Sequence, residues 1–424
     1  MLLMAASLAQ AQTAADLFDP GVLHDLRLWV NSRDLAALRE QAAGNTYYPA
    51  DLEWRGLRVR SVGIRSRGNG SRNSTKLGLR VDFNRYVSGQ EFLGLGSLVL
   101  DNLWQDPSMV REHVAMALFA RLGQPSSRES FARLFINDEY EGVYSLVEPV
   151  DSRFLSRTLG ERDGYLFEYR WLLAYYFEDL GDDLGAYATL FEAENHEREP
   201  RTTAYTPIRE MVRAINDASD PQWKAAANRY VDLRQFVTLA AIEAFMSEWD
   251  GLTGYAGVNN FYLYRRAGSD QHVFIPWDRD HAFHDLRTSV FERAGENRLL
   301  RRALTDPELR RHFQSELERC ARTAERDAWL EAAIVRSSSL IRPAALLDPR
   351  KPYSGADHDA AVATLREFAR ARPGRVLTEV ARGSASGEAT APAKRGQKDT
   401  GSPGEATAHA KRGQKDTGSP GEAR

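Results

Sequence analysis

The feature that most limits what this chain can become is a change of hydrophobic period near residue 150. Before it, apolar side chains recur at every second residue in short runs; after it, they recur mainly at helical spacing. In KLGLRVDF (76–83), Leu77, Leu79, Val81 and Phe83 alternate with Lys76, Gly78, Arg80 and Asp82. That alternation predicts a half-buried strand with Lys76 opening its polar face. HDLRLWV (24–30) and LRVRSVGIRS (57–66) read as further strands, and FARLFI (131–136) with VYSLVE (143–148) as a hairpin around a turn at 137–142. Helices are predicted over 32–42, with Ser32 as N-cap, and over 108–122, with Gly123 as the stop. Downstream, a helix over 231–249 should stop at Asp250-Gly251. A second hairpin follows (260–266 and 272–277), then Arg- and Glu-rich helices over 296–341 and 357–381. The expected architecture is an α+β fold of two lobes, β-rich at 12–150 and helical at 151–382.

The two ends read differently. Residues 1–11, MLLMAASLAQA, form a short apolar run ending in small residues, which fits a signal-peptide remnant and predicts a secreted or cell-envelope-associated protein. EATAPAKRGQKDTGSPG (388–404) recurs as EATAHAKRGQKDTGSPG (405–421). Alanine is the only apolar side chain across 383–424, so that tail is expected to be disordered. It carries Thr400, Ser402, Thr417 and Ser419 beside Lys and Arg.

Composition removes several function classes. Lys+Arg 56 against Asp+Glu 59 gives a net charge of −3, without the basic excess that nucleic-acid binding needs. The single cysteine, Cys320, excludes an intrachain disulfide and a cysteine-based zinc site. No run reaches the roughly 18 apolar residues of a membrane span.

Four features in order carry chemistry: the Gly/Ser loop RGNGSRNST (67–75) before Lys76, the helix and hairpin ending in Glu148, an Asp250-Gly251 loop leading to Asn259-Asn260, and Pro276-Trp277-Asp278-Arg279-Asp280. Phosphoryl transfer from a nucleotide needs such parts: backbone amides near phosphate, a strand-borne lysine, and acidic and amide side chains for Mg²⁺. Protein kinases place a catalytic Asp, a metal-binding Asn, a hairpin and a metal-binding Asp in that order. Asp250, Asn259 or Asn260, the 260–276 hairpin and Asp278 repeat it. Each part also has a plain structural reading: a glycine turn, a helix stop, an exposed acidic turn at 278–280, a strand-end glutamate.

The blocks GIRSRGNGSRNSTKLGLRVDF, NDEYEGVYSLVEPVDSRF, EWDGLTGYAGVNNFYLY and FIPWDRDHAF, which span about residues 17–300 with their surroundings, resemble the spore-coat-protein kinase family (CotH-like). Its members are atypical kinase-fold enzymes. The resemblance implies a two-lobed kinase-like fold and transfer of the ATP γ-phosphate to Ser/Thr hydroxyls of a protein, with Mg²⁺, for which Mn²⁺ could substitute. Lys76 would then bind the nucleotide beside Arg67, Gly68, Asn69, Gly70 and Ser71, and Asp250 would be the catalytic carboxylate. Asp278 would be the principal metal ligand, with Asp280 and Asn260 or Asn259 completing the set. Glu148 would mark the segment that touches adenine. The implied protein substrate presents Ser/Thr in a basic disordered segment, the protein's own tail being one candidate. A non-catalytic surface or coat-assembly module of the same shape, and a hydrolase pairing Asp250 with Asp278 or Glu248, are the rival readings.

Overall fold

A computed structural model describes residues 12–386; the leader-like residues 1–11 and the repeat tail from 387 onward lie outside the described residues. The fold is mixed α+β, as its periodicities require. Seven strands, β1 (Leu23–Val30), β2 (Tyr48–Trp54), β3 (Leu57–Ser66), β4 (Leu79–Asp82), β5 (Ser97–Asp101), β6 (Glu129–Ile136) and β7 (Glu139–Val147), close into a barrel in the order β1-β2-β3-β4-β5-β7-β6. Every pairing is antiparallel except β1 with β6, which runs parallel from Leu23↔Phe131 to Leu28↔Ile136. Leu26, Leu28, Leu52, Ile64, Leu79, Val81, Leu100, Leu134 and Leu146 share one buried cluster with Trp54 and Phe83. These are the inward positions of period-two strands.

Helix α1 (Ala14–Leu17) precedes the barrel, and α2 (Ser32–Glu40) links its first two strands. Asn31, not Ser32, caps α2: its side chain accepts from the Arg33 amide, and Ser32 is the first helical residue. The β6–β7 turn is also shorter than its composition suggested. Asn137 and Asp138 have φ of 51° and 68°, which makes a two-residue hairpin turn. The spare residue is taken up by a bulge, where Leu134 pairs Gly142 and Phe135 pairs Tyr140, so the ladder skips Glu141.

Strand β4 starts at Leu79, three residues later than expected, and this relocates Lys76. Residues before it are held as a loop: Arg67 N donates to Gly78 O (2.9 Å), Lys76 N to Asn73 Oδ1 (2.8 Å) and Asn102 Nδ2 to Lys76 O (2.7 Å). Lys76 therefore escapes the strand's alternation and lies inside, with no exposed surface.

After the barrel strand β5 comes α3 (Arg111–Arg121), and after β7 come α4 (Ser152–Leu159), β8 (Tyr165–Tyr169), α5 (Leu184–Leu190) and β9 (Phe191–Ala193). Helices α6 (Arg201–Asp217), α7 (Asp220–Tyr230) and α8 (Leu233–Met246) lead to the hairpin β10 (Phe261–Arg265) and β11 (His272–Pro276). A second sheet has the order β11-β10-β8-β9. Helices α9 (Arg298–Ala303), α10 (Pro307–Glu325), α11 (Trp329–Leu346) and α12 (Gly355–Ser386) complete the chain, the last passing the expected end of the folded part by four residues. Helix α8 ends earlier than its apolar spacing implied. Ser247, at φ 53°, turns the chain, with Ser247 N and Glu248 N donating to Ala244 O and Glu243 O. Asp250 thus stands in the loop beyond the helix rather than at its stop.

Candidate active site

A cleft of about 390 Å³ opens between the barrel and the second sheet, within the size range of small-molecule sites. Its barrel wall carries Arg65 from β3, Arg80 from β4, and Arg67, Gly68, Asn69 and Arg72 from the loop between them. The opposite wall carries Glu168 and Tyr169 from β8 and Asn259, Asn260, Tyr262, Trp277 and Asp278 around the β10–β11 hairpin. Gly68 has φ 106°, and a Cβ there would stand 2.7 Å from Ser71 Oγ, so the loop needs glycine at that point. Val99, Pro149 and Val150 supply an apolar stretch of lining.

Asp250 and the asparagines form one unit. Asn259 Nδ2 donates to Asp250 Oδ2 (2.9 Å), and Asn260 Nδ2 donates to the same oxygen (3.2 Å) and to Asp250 O (3.0 Å). Trp277 N donates to Asn260 O (3.1 Å), which ties the start of the hairpin to the residue before Asp278. Asn260 and Asp278 both adopt left-handed φ, 58° and 53°. Such backbone strain persists where the surroundings over-determine it. Strand β11 stops at Pro276, so Asp278 and Asp280 do not alternate along a strand, contrary to the expectation from their spacing.

The charges here are poorly compensated. Burial, followed by the nearby Asp101 carboxylate, pushes Asp278 up to about 6, while Arg67 acts in the opposite sense. Asp280 is raised well above its ordinary value, first by burial and then by Asp278 and Asp101. Asp250 is raised by burial, against the donation from Asn259 and the field of His281. Arg67 binds Asp101 Oδ2 through Nη1 at 3.2 Å. Burial works against its charge, and Asp101 and Asp278 together outweigh that and keep Arg67 above its usual value.

A cation would relieve this crowding. The donor set, carboxylate and amide oxygens without sulfur, suits Mg²⁺ or Mn²⁺. Among the described residues no three His, Cys, Asp or Glu side chains are grouped to enclose a metal alone. That fits a Mg²⁺ held by one or two carboxylates with nucleotide phosphates and water making up the rest. Asp278 and Asp280 are the carboxylates that could serve, with the Oδ1 atoms of Asn259 and Asn260 available because their amide nitrogens are spent on Asp250.

Several residues singled out by sequence lie elsewhere. Lys76 does not line the cleft: Nζ pairs with Asp348 Oδ2 at 2.7 Å and donates to Val143 O at 2.8 Å. Glu148 is turned inward, paired with Arg128 (2.7 Å) and with Arg157, and its neighbours Pro149 and Val150 face the cleft instead. Gly70 and Ser71 turn toward the 102–105 segment, where Ser71 O accepts from Asn102 Nδ2 at 3.0 Å. Glu248 also points inward, Oε1 accepting from Asp250 N at 3.0 Å, which leaves the paired-acid hydrolase scheme without that partner.

Other residues at the site were missed. Arg80 belongs to the polar face that the alternation in 76–83 identified, and it lines the cleft. Asp101 closes the apolar run SLVLD, a carboxylate at a buried strand end, and its charge reaches Asp278, Asp280 and Lys76 alike. Glu168 gave no signal; burial raises it, with Arg67 opposing.

The model of the family described as CotH kinase protein matches residues 64–376. The inner spore coat protein H of Bacillus subtilis (strain 168) is 25% identical over 342 residues, covering 77% of this chain and 88% of that protein. The family match takes in every element from β4 through α11, including both walls of the cleft and the Asp250 to Asp280 segment. The chain belongs to the CotH kinase family.

Proposed function

We propose that this protein is a kinase that moves the γ-phosphate of ATP onto Ser/Thr hydroxyls of a protein substrate, on the cell-envelope side. The observation that carries the reading is that Arg67, Asn259, Asn260 and Asp278 line one cleft while both asparagines hold the Asp250 carboxylate behind it. Both asparagine amides converge on Oδ2 of Asp250, which orients the carboxylate and leaves Oδ1 for an acceptor hydroxyl. Arg67 and Arg80, with Arg65 and Arg72 alongside, supply the positive field for phosphate oxygens, the task first given to Lys76. A bound Mg²⁺ would neutralise phosphate charge at Asp278 and Asp280. Most of the rate gain in such a site comes from position and fixed charge. An envelope location rests on the relative named a spore coat protein and on the apolar 1–11 segment.

One observation favours a second reading, a nucleotide-binding or coat-assembly module without turnover: Lys76 is buried against Asp348 and does not line the cleft. Incubation with labelled ATP, Mg²⁺ or Mn²⁺ and Ser-rich basic peptides, including the 388–404 repeat, separates the two. Label on Ser or Thr that disappears in Asp250→Asn supports the kinase; calorimetric ATP binding without label supports the module.

A further inference from the structure

Arg279 lies between two candidate metal ligands in sequence, yet its side chain takes the opposite direction. It is fully buried, and its Nη2 sits 2.6 Å from Oε1 of Glu243 on α8. The other carboxylate oxygen of Glu243 accepts from Leu252 N at 2.6 Å. One acid therefore grips the loop that carries Asp250 while being gripped by the segment that carries Asp278 and Asp280. Gly251 fits against the same pair: a Cβ there would collide with the Glu243 carboxylate and stand 2.8 Å from Arg279 Nη1. Glu248, also buried, accepts from Asp250 N at 3.0 Å.

From this geometry we infer that Arg279 is a positioning residue, which locks the Asp250 loop and the Asp278–Asp280 segment into one rigid unit through Glu243. Its side chain does not line the cleft. The planar guanidinium, always charged and less strongly hydrated than an ammonium, is the group suited to such an enclosed position. Two loops separated in sequence and joined through a buried ion pair keep their spacing, and misplacement of reacting groups by about 1 Å costs on the order of 100-fold in rate. The inference rests on the kinase reading only for its kinetic readout.

The experiment compares full-length wild type with Arg279→Met and with the double variant Glu243→Gln/Arg279→Met. The single change strands a buried carboxylate and lowers the melting temperature; the double change removes that stranded charge while keeping an oxygen for Leu252 N, and recovers most of the loss. In both variants, amide hydrogen exchange in peptides covering 249–253 is expected to accelerate at least about tenfold. With Mg·ATP, kcat should fall by roughly 100-fold while KM for ATP stays within about threefold. Slow exchange and wild-type kcat in the double variant would overturn the positioning role. A wild type that transfers no phosphate sinks the kinase reading, and the exchange measurement then still decides whether Arg279 orders the loop.

Discussion

Lys76 and Asp348 stand 272 residues apart in sequence and 2.7 Å apart in space, amine against carboxylate, both without appreciable exposure. Asp348 does more than balance the lysine. Its Oδ2 also accepts from Val143 N (2.9 Å), and its Oδ1 accepts from Arg350 N (2.9 Å) and Lys351 N (3.1 Å). Nearby, Glu141 pairs with both Arg39 of α2 and Arg350. The segment after α11 is thereby clasped to the barrel by two buried carboxylates, Asp348 and Glu141, and the cations that pair with them.

Breaking that clasp should unfold the protein before it disturbs nucleotide recognition. Lys76→Met leaves Asp348 buried and unpaired, which costs about 3–5 kcal/mol. Urea denaturation is expected to show that loss, while the ATP dissociation constant of the folded variant, measured by calorimetry, stays within about threefold of wild type. Arg67→Met should act at the cleft instead, weakening ATP by at least about tenfold through loss of a charge-assisted phosphate contact. Lys76→Met abolishing ATP binding without loss of stability would return the lysine to the phosphate site.

Asp278 gives a pH signature. Its folded-state value is raised to about 6 from an ordinary 3.8. A raised acid contributes stability that is whole below pH 3.8 and lost as pH climbs through 6. Asp278→Asn lacks that titration. Its stability relative to wild type should therefore improve between pH 4 and pH 7, by up to about 3 kcal/mol for a two-unit shift. Denaturation of both proteins at pH 4.5 and 7, without divalent cation, tests the sign, and the same variant should lose Mg²⁺-dependent phosphoryl transfer. A variant whose stability relative to wild type falls as pH rises would contradict the burial argument.

The strands were readable because their faces differ in solvation over short stretches. Leu77, Leu79, Val81 and Phe83 are all buried, as their alternation requires. The hairpin residues flanking 261–276 are equally local in origin. Lys76 defied the same pattern because a side chain's direction at a strand entrance depends on the loop before it, here pinned by Asn73 and Asn102. Its partner Asp348 lies far beyond any local window. At the site, Asp250, Asn259, Asn260 and Asp278 were legible through their order, whereas Asp101 and Glu168 acquire their setting only when the barrel and the second sheet face each other.

Gly142 tests the clasp from the other side. It has φ 123°, and a Cβ would run into the Asp348 carboxylate. Gly142→Ala combines backbone strain with a clash against a group that cannot retreat, so a loss of at least about 2 kcal/mol is expected by chemical denaturation. Gly123→Ala, at φ 71° with nothing within 4 Å of its Cβ, carries the strain alone and should lose less.

Glu148 should behave as a stabiliser rather than as part of the adenine contact. Glu148→Gln weakens its pairs with Arg128 and Arg157, both of which are partly exposed. A loss of about 1–3 kcal/mol is expected, with the ATP dissociation constant unchanged. Weaker ATP binding at unchanged stability would place the carboxylate back in the cleft.

The parallel seam between β1 and β6 has a kinetic meaning. Leu23 must wait for Phe131, 131 − 23 = 108 residues further along, before the first strand gains its second neighbour. Until then β1 presents an open edge to whatever extended segment passes, and joining ends so distant is slow because loop-closure entropy comes before any reward. The ring seals late, and the newborn chain is most exposed to sticking to itself or its siblings in the interval while β6 is still being made.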